Sequence, residues 1–271
     1  MPILACPLVQ LLVAATVQAA AADQELHRFA YERTLMGAAV KITLYAPQER
    51  SANLAAEAAF DRIAELDRIL SDYKPDSELS KLSDTAGKGR AVPLGTDLWT
   101  VLERSQQLAE RSGGAFDATV GPYVRLWRRA RRNKEFPAAE RLAEARAVVG
   151  YQKLKLDPSR HTAQLLAPGM RLDLGGIAAG YAVDQAMAVL RRHGIHRALI
   201  DASGDILAAG PPPGQEGWKI GIAPLDAAGP PSRYLECCKS NKPPRKPSSC
   251  LIRQPISSAP TRWMKMFGCS A

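Results

Sequence analysis

An α+β fold with mainly antiparallel sheets is the architecture this sequence predicts, on three observations. Stretches of helical period and stretches of period-two alternation come in blocks, without the strict strand–helix–strand alternation of a doubly wound parallel sheet. Neighbouring strand-like runs read as a hairpin near the N-terminus and a meander near the middle. The chain has 271 residues, 46% apolar and 23% charged, enough to bury a sizeable core and close to globular averages. No internal repeat of fixed period is found.

The elements follow in order. Residues 28–35 and 39–45 read as two strands around Met36 and Gly37, with Val40, Ile42 and Leu44 alternating on one face. Residues 51–72 predict a long amphipathic helix: Leu54, Ile63, Leu66, Ile69 and Leu70 recur at helical spacing, Glu57, Asp61, Arg62 and Arg68 can face water, and a turn around Pro75 ends it. A second helix is expected over 96–112, with Leu98, Val101, Leu102 and Leu108 on its buried stripe and Gly113-Gly114 as its stop. Pro137 at a first helical position predicts another helix, through Val149 to Gly150. Residues 153–156, 163–166 and 170–174 then read as short strands. Gly175-Gly176 opens a helix through Val183, Met187 and Leu190 that stops at Gly194, and strands are expected at 198–201, 206–208 and 218–222.

Charge and cysteine divide the chain. Residues 237–271 hold seven of the 36 basic residues and none of the 27 acids, so the formal charge of +9 belongs mostly to that segment. The remainder is nearly balanced, which removes the electrostatic case for nucleic acid. Cys237, Cys238, Cys250 and Cys269 also lie there, at spacings unlike a paired zinc-ligand pattern. With its Pro and Ser and no sustained period, 237–271 reads as a basic tail without regular structure, after a domain spanning 23–236. Residues 1–22 hold an apolar run ending in small residues, which resembles an export signal and implies a periplasmic location. Inner-membrane association through Cys6, in a sequence that mimics a lipid-attachment box, is the minority reading.

The sequence argues against several chemistries. It has no G-x-S-x-G elbow for a serine nucleophile and no cysteine between residues 7 and 236. His27, His161, His193 and His196 form no metal-binding pair; the last two flank a helix end. Oxygen chemistry remains. In DLGGIAAGYAVD, from Asp173 to Asp184, a carboxylate at a strand end, two glycines and a helix start could let the backbone approach a phosphate, although such a turn more often serves tight strand-to-helix packing. ASGDILAAG, from Ala202 to Gly210, reads first as a hairpin turn. In GGAFDATVGPYVRLW, Asp117 could accept hydrogen bonds from a base or ribose, or cap the next helix. The basic run of Arg128, Arg129, Arg131, Arg132 and Lys134 reads as a solvated helix face. Tyr73, just before a Pro turn, could stack on a planar ligand or serve as a core or turn aromatic.

Taken together and in this order, LMGAAVKITLY, SDYKPDSELSKLS, GGAFDATVGPYVRLW, RLDLGGIAAGYAVD, LIDASGDILAAG and WKIGIA resemble the ApbE-type FAD:protein FMN transferases. The resemblance runs from Tyr31 to Ile222 and implies an ApbE-like (T-fold-like) architecture. It also implies magnesium-dependent cleavage of FAD, transfer of FMN to a threonine of an exported redox protein, and release of AMP. Carried over by position, it makes Met36 and Tyr73 contacts to FAD, places Ala115, Phe116 and Asp117 along the dinucleotide, and puts Asp173 near the diphosphate. Gly176 falls at a magnesium ligand, through its carbonyl. Ala179 stands where relatives often carry a charged residue that touches the nucleotide. The family pattern continues with a His-containing segment and a later Asp and Thr that bind the metal; none has a counterpart after Glu236. Reduced transfer is therefore expected, and the alternative is a periplasmic FAD-binding protein or remnant without catalysis. No catalytic residue is assigned.

Overall fold

The computed structural model describes residues 25–222, 231, 233–237 and 250–253. It confirms the α+β class. Strands β1 (His27–Leu35) and β2 (Ala38–Ala46) form a hairpin with Leu35 opposite Ala38. Met36 and Gly37 make the two-residue turn, both at positive φ, +52° and +75°. This is the turn geometry whose twist matches the strands, and a methionine there carries a backbone strain that glycine would not.

The hairpin begins a five-stranded antiparallel sheet in the order β1-β2-β6-β7-β10, completed by β6 (Ala198–Ala202), β7 (Asp205–Ala209) and β10 (Cys250–Arg253). Helices α1 (Glu49–Leu70) and α6 (Ala178–Arg192) pack on each other and on one face of this sheet, with Val40, Ile42 and Leu44 pointing into the shared core. β8 (Trp218–Ile222) pairs with β9 (Arg233–Cys237), and Ile220 and Cys237 cover Ile206 and Leu199 in a second small core. A three-stranded sheet is ordered β3 (Val92–Pro93), β5 (Thr162–Leu165), β4 (Leu154–Asp157). Helices α2 (Glu78–Ser83), α3 (Thr96–Arg111), α4 (Gly121–Asn133) and α5 (Ala139–Val148) complete the described residues.

Five sequence expectations are corrected. Leu54 and Leu108 do not join the buried stripes; they are 58% and 40% exposed. In α1 the inward face is instead Ala52, Ala55, Ala56 and Ala59, then Phe60, Ile63, Leu66 and Leu70. These alanines face a partner helix whose own buried residues include Ala178, Ala182 and Ala186, so small side chains occupy the contact. Residues 170–174 are not a strand. Apart from a single bridge of Arg171 to Val120, their amides serve separate partners: Leu172 donates to Ser83 Oγ at 3.2 Å and Asp173 to the Ala118 carbonyl at 2.8 Å.

Pro137 precedes α5 and does not enter it, since Ala138 is the cap residue. The last helix begins at Ala178, after Gly175-Gly176, because Ile177 and Ala178 both donate to the Leu174 carbonyl and close a tight turn first. Finally, the segment from 237 onward is not wholly without regular structure. Cys237 ends β9 and is buried, and Cys250–Arg253 pairs with β7, whose outer edge would otherwise lack a partner strand. The expected export signal at 1–22 lies outside the described residues.

Candidate functional site

Helix α3 ends in a Schellman motif: Gly114 donates to Ala109 at 2.8 Å and Gly113 to Glu110 at 3.1 Å, with both glycines at positive φ. The chain then reverses, and Phe116 donates its amide to Ser112 Oγ. Asp117 does not cap α4, whose cap position is Val120. Its Oδ1 accepts from the amide and the hydroxyl of Thr119, 2.7 Å each, in a local Asx turn. Thr119, fully buried, in turn accepts from the Gly150 amide. This turn is laced to the residues before α6 by the bond from Asp173 to Ala118 and by the bridge of Val120 to Arg171.

Asp173 is the pivot. Its Oδ1 accepts from the Gly175 amide at 2.9 Å, and its Oδ2 accepts from Arg128 Nη2 at 3.0 Å. The side chain is only 9% exposed, and burial pushes its carboxyl above the usual range. The neighbouring Asp72 pushes in the same direction; the Gly175 amide and Arg128 act against it. Beside it, the ring of Phe116 lies so close to Gly176 that a Cβ on Gly176 would stand 3.2 Å from Phe116 Cε2. A side chain there would require the Phe116 ring to give by a few tenths of an ångström.

Arg128 is not part of a solvated face. It pairs with Asp72 through both terminal nitrogens, reaches Asp173, and sits 4.0 Å from the centroid of the Tyr73 ring. Tyr73 is no core aromatic: it is 74% exposed, presenting its ring at the surface. The structure therefore brings Tyr73, Phe116, Asp117, Asp173 and Gly176 into one connected neighbourhood, with Ala115 exposed beside Phe116 and Ala179 half-buried in the first turn of α6. Among the described residues, no hydrogen bond or ring contact ties Met36 to that neighbourhood. Its turn lies at the end of the sheet shared by the β6–β7 turn, where Ser203 is also at positive φ and Ser203 Oγ donates to the Ala39 carbonyl. That second glycine-bearing turn is a hairpin, held by Gly204 donating to Asp201.

The ApbE family model matches residues 36–240. The chain belongs to the ApbE family. It is 31% identical over 182 residues to the FAD:protein FMN transferase of Treponema pallidum, covering 65% of this chain and 50% of that protein. It is 34% identical over 157 residues to the one of Haemophilus influenzae, covering 56% and 45%. The crystal structure of the ApbE protein from Thermotoga maritima superposes with a TM-score of 0.70 at 25% identity, over 79% of this chain and 68% of that one. The chain spans about half the length of the curated relatives it matches.

Among the described residues no three of His, Cys, Asp and Glu come together as a metal site. Of the three carboxylates of the neighbourhood, Asp72 and Asp173 are engaged by Arg128, and Asp117 holds Thr119 through Oδ1. Magnesium needs about six oxygens. The described carboxylates do not by themselves make up such a shell.

Two sizeable clefts lie away from this neighbourhood. They are adjoining grooves of about 480 and 340 Å³ between α4 and α5, around Leu126, Arg129 and Arg141, on the outer side of α4. A small cavity of about 30 Å³ touches Asp72, between α2 and α4. The chemistry argues for the Asp173 neighbourhood, since it has the buried carboxylate and the glycine turn. Asp72 and Arg128 were missed in sequence as members of this group. Arg128 lies seven residues after Gly121, hence on the same helical face, but that this face is the packed one follows only from the burial of Gly121 in the fold.

Proposed function

We propose that this chain works as an FAD:protein FMN transferase, moving FMN from FAD to a threonine hydroxyl of an exported redox protein and releasing AMP. The observation that supports this most directly is coincidence: the family match runs through Tyr73, Phe116-Asp117 and Asp173–Gly176, the same segments that converge in space. In the reaction the threonine oxygen bonds to the FMN phosphorus, the bond from that phosphorus to the bridging oxygen breaks, and AMP leaves with that oxygen. The threonine proton passes to solvent or to a base that none of these residues is assigned to be.

Tyr73 and Phe116 supply flat apolar surface for the ring systems of FAD. Asp117 Oδ2 and Asp173 accept hydrogen bonds from ribose or base hydroxyl and amino groups, while the electropositive start of α6 faces the diphosphate. Magnesium belongs to this reading as an ion brought in on the diphosphate, which it would neutralise. Export to the periplasm, with or without attachment to the inner membrane, is part of the same proposal.

The purified chain, given FAD, magnesium and a threonine-bearing acceptor, is expected to release AMP and leave a flavin-fluorescent acceptor band after denaturation. A second reading is FAD binding without transfer, in keeping with the absence of an acidic metal cluster among the described residues. Calorimetric binding of FAD with no AMP release would establish it over the first, and no binding by the folded chain would remove both.

A further inference from the structure

We propose that Arg128 is the positioning residue of this site: its guanidinium fixes the Tyr73 ring relative to Asp173 and the Gly175-Gly176 turn, so that FAD meets a preset pair of walls. The proposal rests on the FAD reading above. Tyr73 belongs to the loop after α1 and Asp173 to the segment before α6, and Arg128 on α4 contacts both. Asp72, next to Tyr73 in the chain, anchors the other end of the fork.

Two features explain why Arg128 and none of its neighbours does this. Gly121 packs so tightly on Arg171 that an added Cβ would lie 2.6 Å from the Arg171 carbonyl oxygen, which pins the start of α4 against the residues leading to Asp173. Two helical turns later the same face presents Arg128. Arg131 and Arg132 point into solvent, and Arg129 lines the outer groove. Only a planar, multiply donating head can grip two carboxylates and lie over a ring together; a lysine supplies one point charge.

Tyr73 needs the help. Its amide is held by Ser71 Oγ at 3.2 Å, but its ring is mostly exposed and, among the described residues, Arg128 lies against it. An exposed ring free to change rotamer must be immobilised when a planar ligand stacks on it, and fixing it beforehand lowers that cost.

The test is a double-mutant cycle read by calorimetric binding of FAD. R128M is expected to weaken binding about tenfold and R128K about threefold, while R131M, which removes the same charge from the same helix, binds like the wild type. In a Y73A background R128M should cost less than about threefold, because most of its effect passes through Tyr73. A folded R128M that binds FAD as the wild type does overturns the proposal, and so does a full tenfold loss that persists without Tyr73. Near-ultraviolet circular dichroism establishes folding; if R128M does not fold, R128K decides alone, and wild-type affinity in it counts against the proposal. Failure of the wild type to bind FAD removes the functional reading and the proposal together, whereas wild-type binding with unaffected variants removes only the latter.

Discussion

Two arginines in this molecule sit among carboxylates beside a tyrosine, with opposite outcomes. Arg62 on α1 pairs with Asp97 in the first turn of α3 and with Glu65 on its own helix, and Tyr181 on α6 donates its hydroxyl to the same Asp97 oxygen at 2.7 Å. Three helices are clasped, and the tyrosine hydroxyl is used up. Arg128 likewise holds two aspartates, but Tyr73 gives it a ring face and remains exposed. The same three residue types thus make a structural clasp when the hydroxyl is consumed and a presenting surface when the ring is left open.

Substitutions should separate the two clusters. D173N is expected to have the largest effect, weakening FAD binding about 100-fold, the scale of a lost charge-assisted hydrogen bond. It should not destabilise the fold at neutral pH. Asp173 has a raised carboxyl pKa in the folded state, so the stability linked to its protonation is fully present below the ordinary aspartate value and is lost as pH rises through the folded one. At neutral pH the buried charge is a cost that asparagine removes; thermal unfolding and calorimetry on one sample measure both effects.

R62M should do the reverse, lowering unfolding stability by about 2 kcal/mol by leaving Asp97 without its cation, with FAD affinity unchanged. Urea titration checks it, and an equal loss of FAD binding would dissolve the distinction between the clusters. G176A should cost about 1 kcal/mol as the Phe116 ring yields to the new methyl, with weaker FAD binding alongside.

Y181F should cost about 1 kcal/mol for the lost bond to Asp97 and leave FAD binding alone. Burial, followed by the bond to Asp97, pushes the Tyr181 phenol from 10.0 up to about 12. Its contribution is therefore fully present below pH 10.0 and lost as pH rises through about 12. Urea unfolding on either side of that range should show a steeper alkaline loss in the wild type than in Y181F.

Much of the fold was legible because it is local. Gly113-Gly114 end α3 by the bonds their positive φ permits, and Met36-Gly37 turn the first hairpin between alternating strands. The site was legible in part. The motifs holding Tyr73, Asp117, Asp173 and Gly176 could be read as family segments, but the turn at Gly175-Gly176 spends the Ile177 and Ala178 amides on Leu174. Periodicity also counted Leu54 and Leu108 as buried, since it finds the apolar stripe but cannot tell how wide a face the partner covers.

By itself, then, the amino-acid order determined which segments form helices and hairpins and where glycines stop them, because caps, glycine conformations and side-chain period act within a few residues. Which side chains would be spent was decided only by the tertiary structure. Residues 170–174 have strand composition yet send their amides to Ser83 and Ala118, and Arg128 looks like its exposed neighbours until α4 packs on Arg171. A hydrogen bond or ion pair belongs to two partners, and here the second partner lies dozens of residues away.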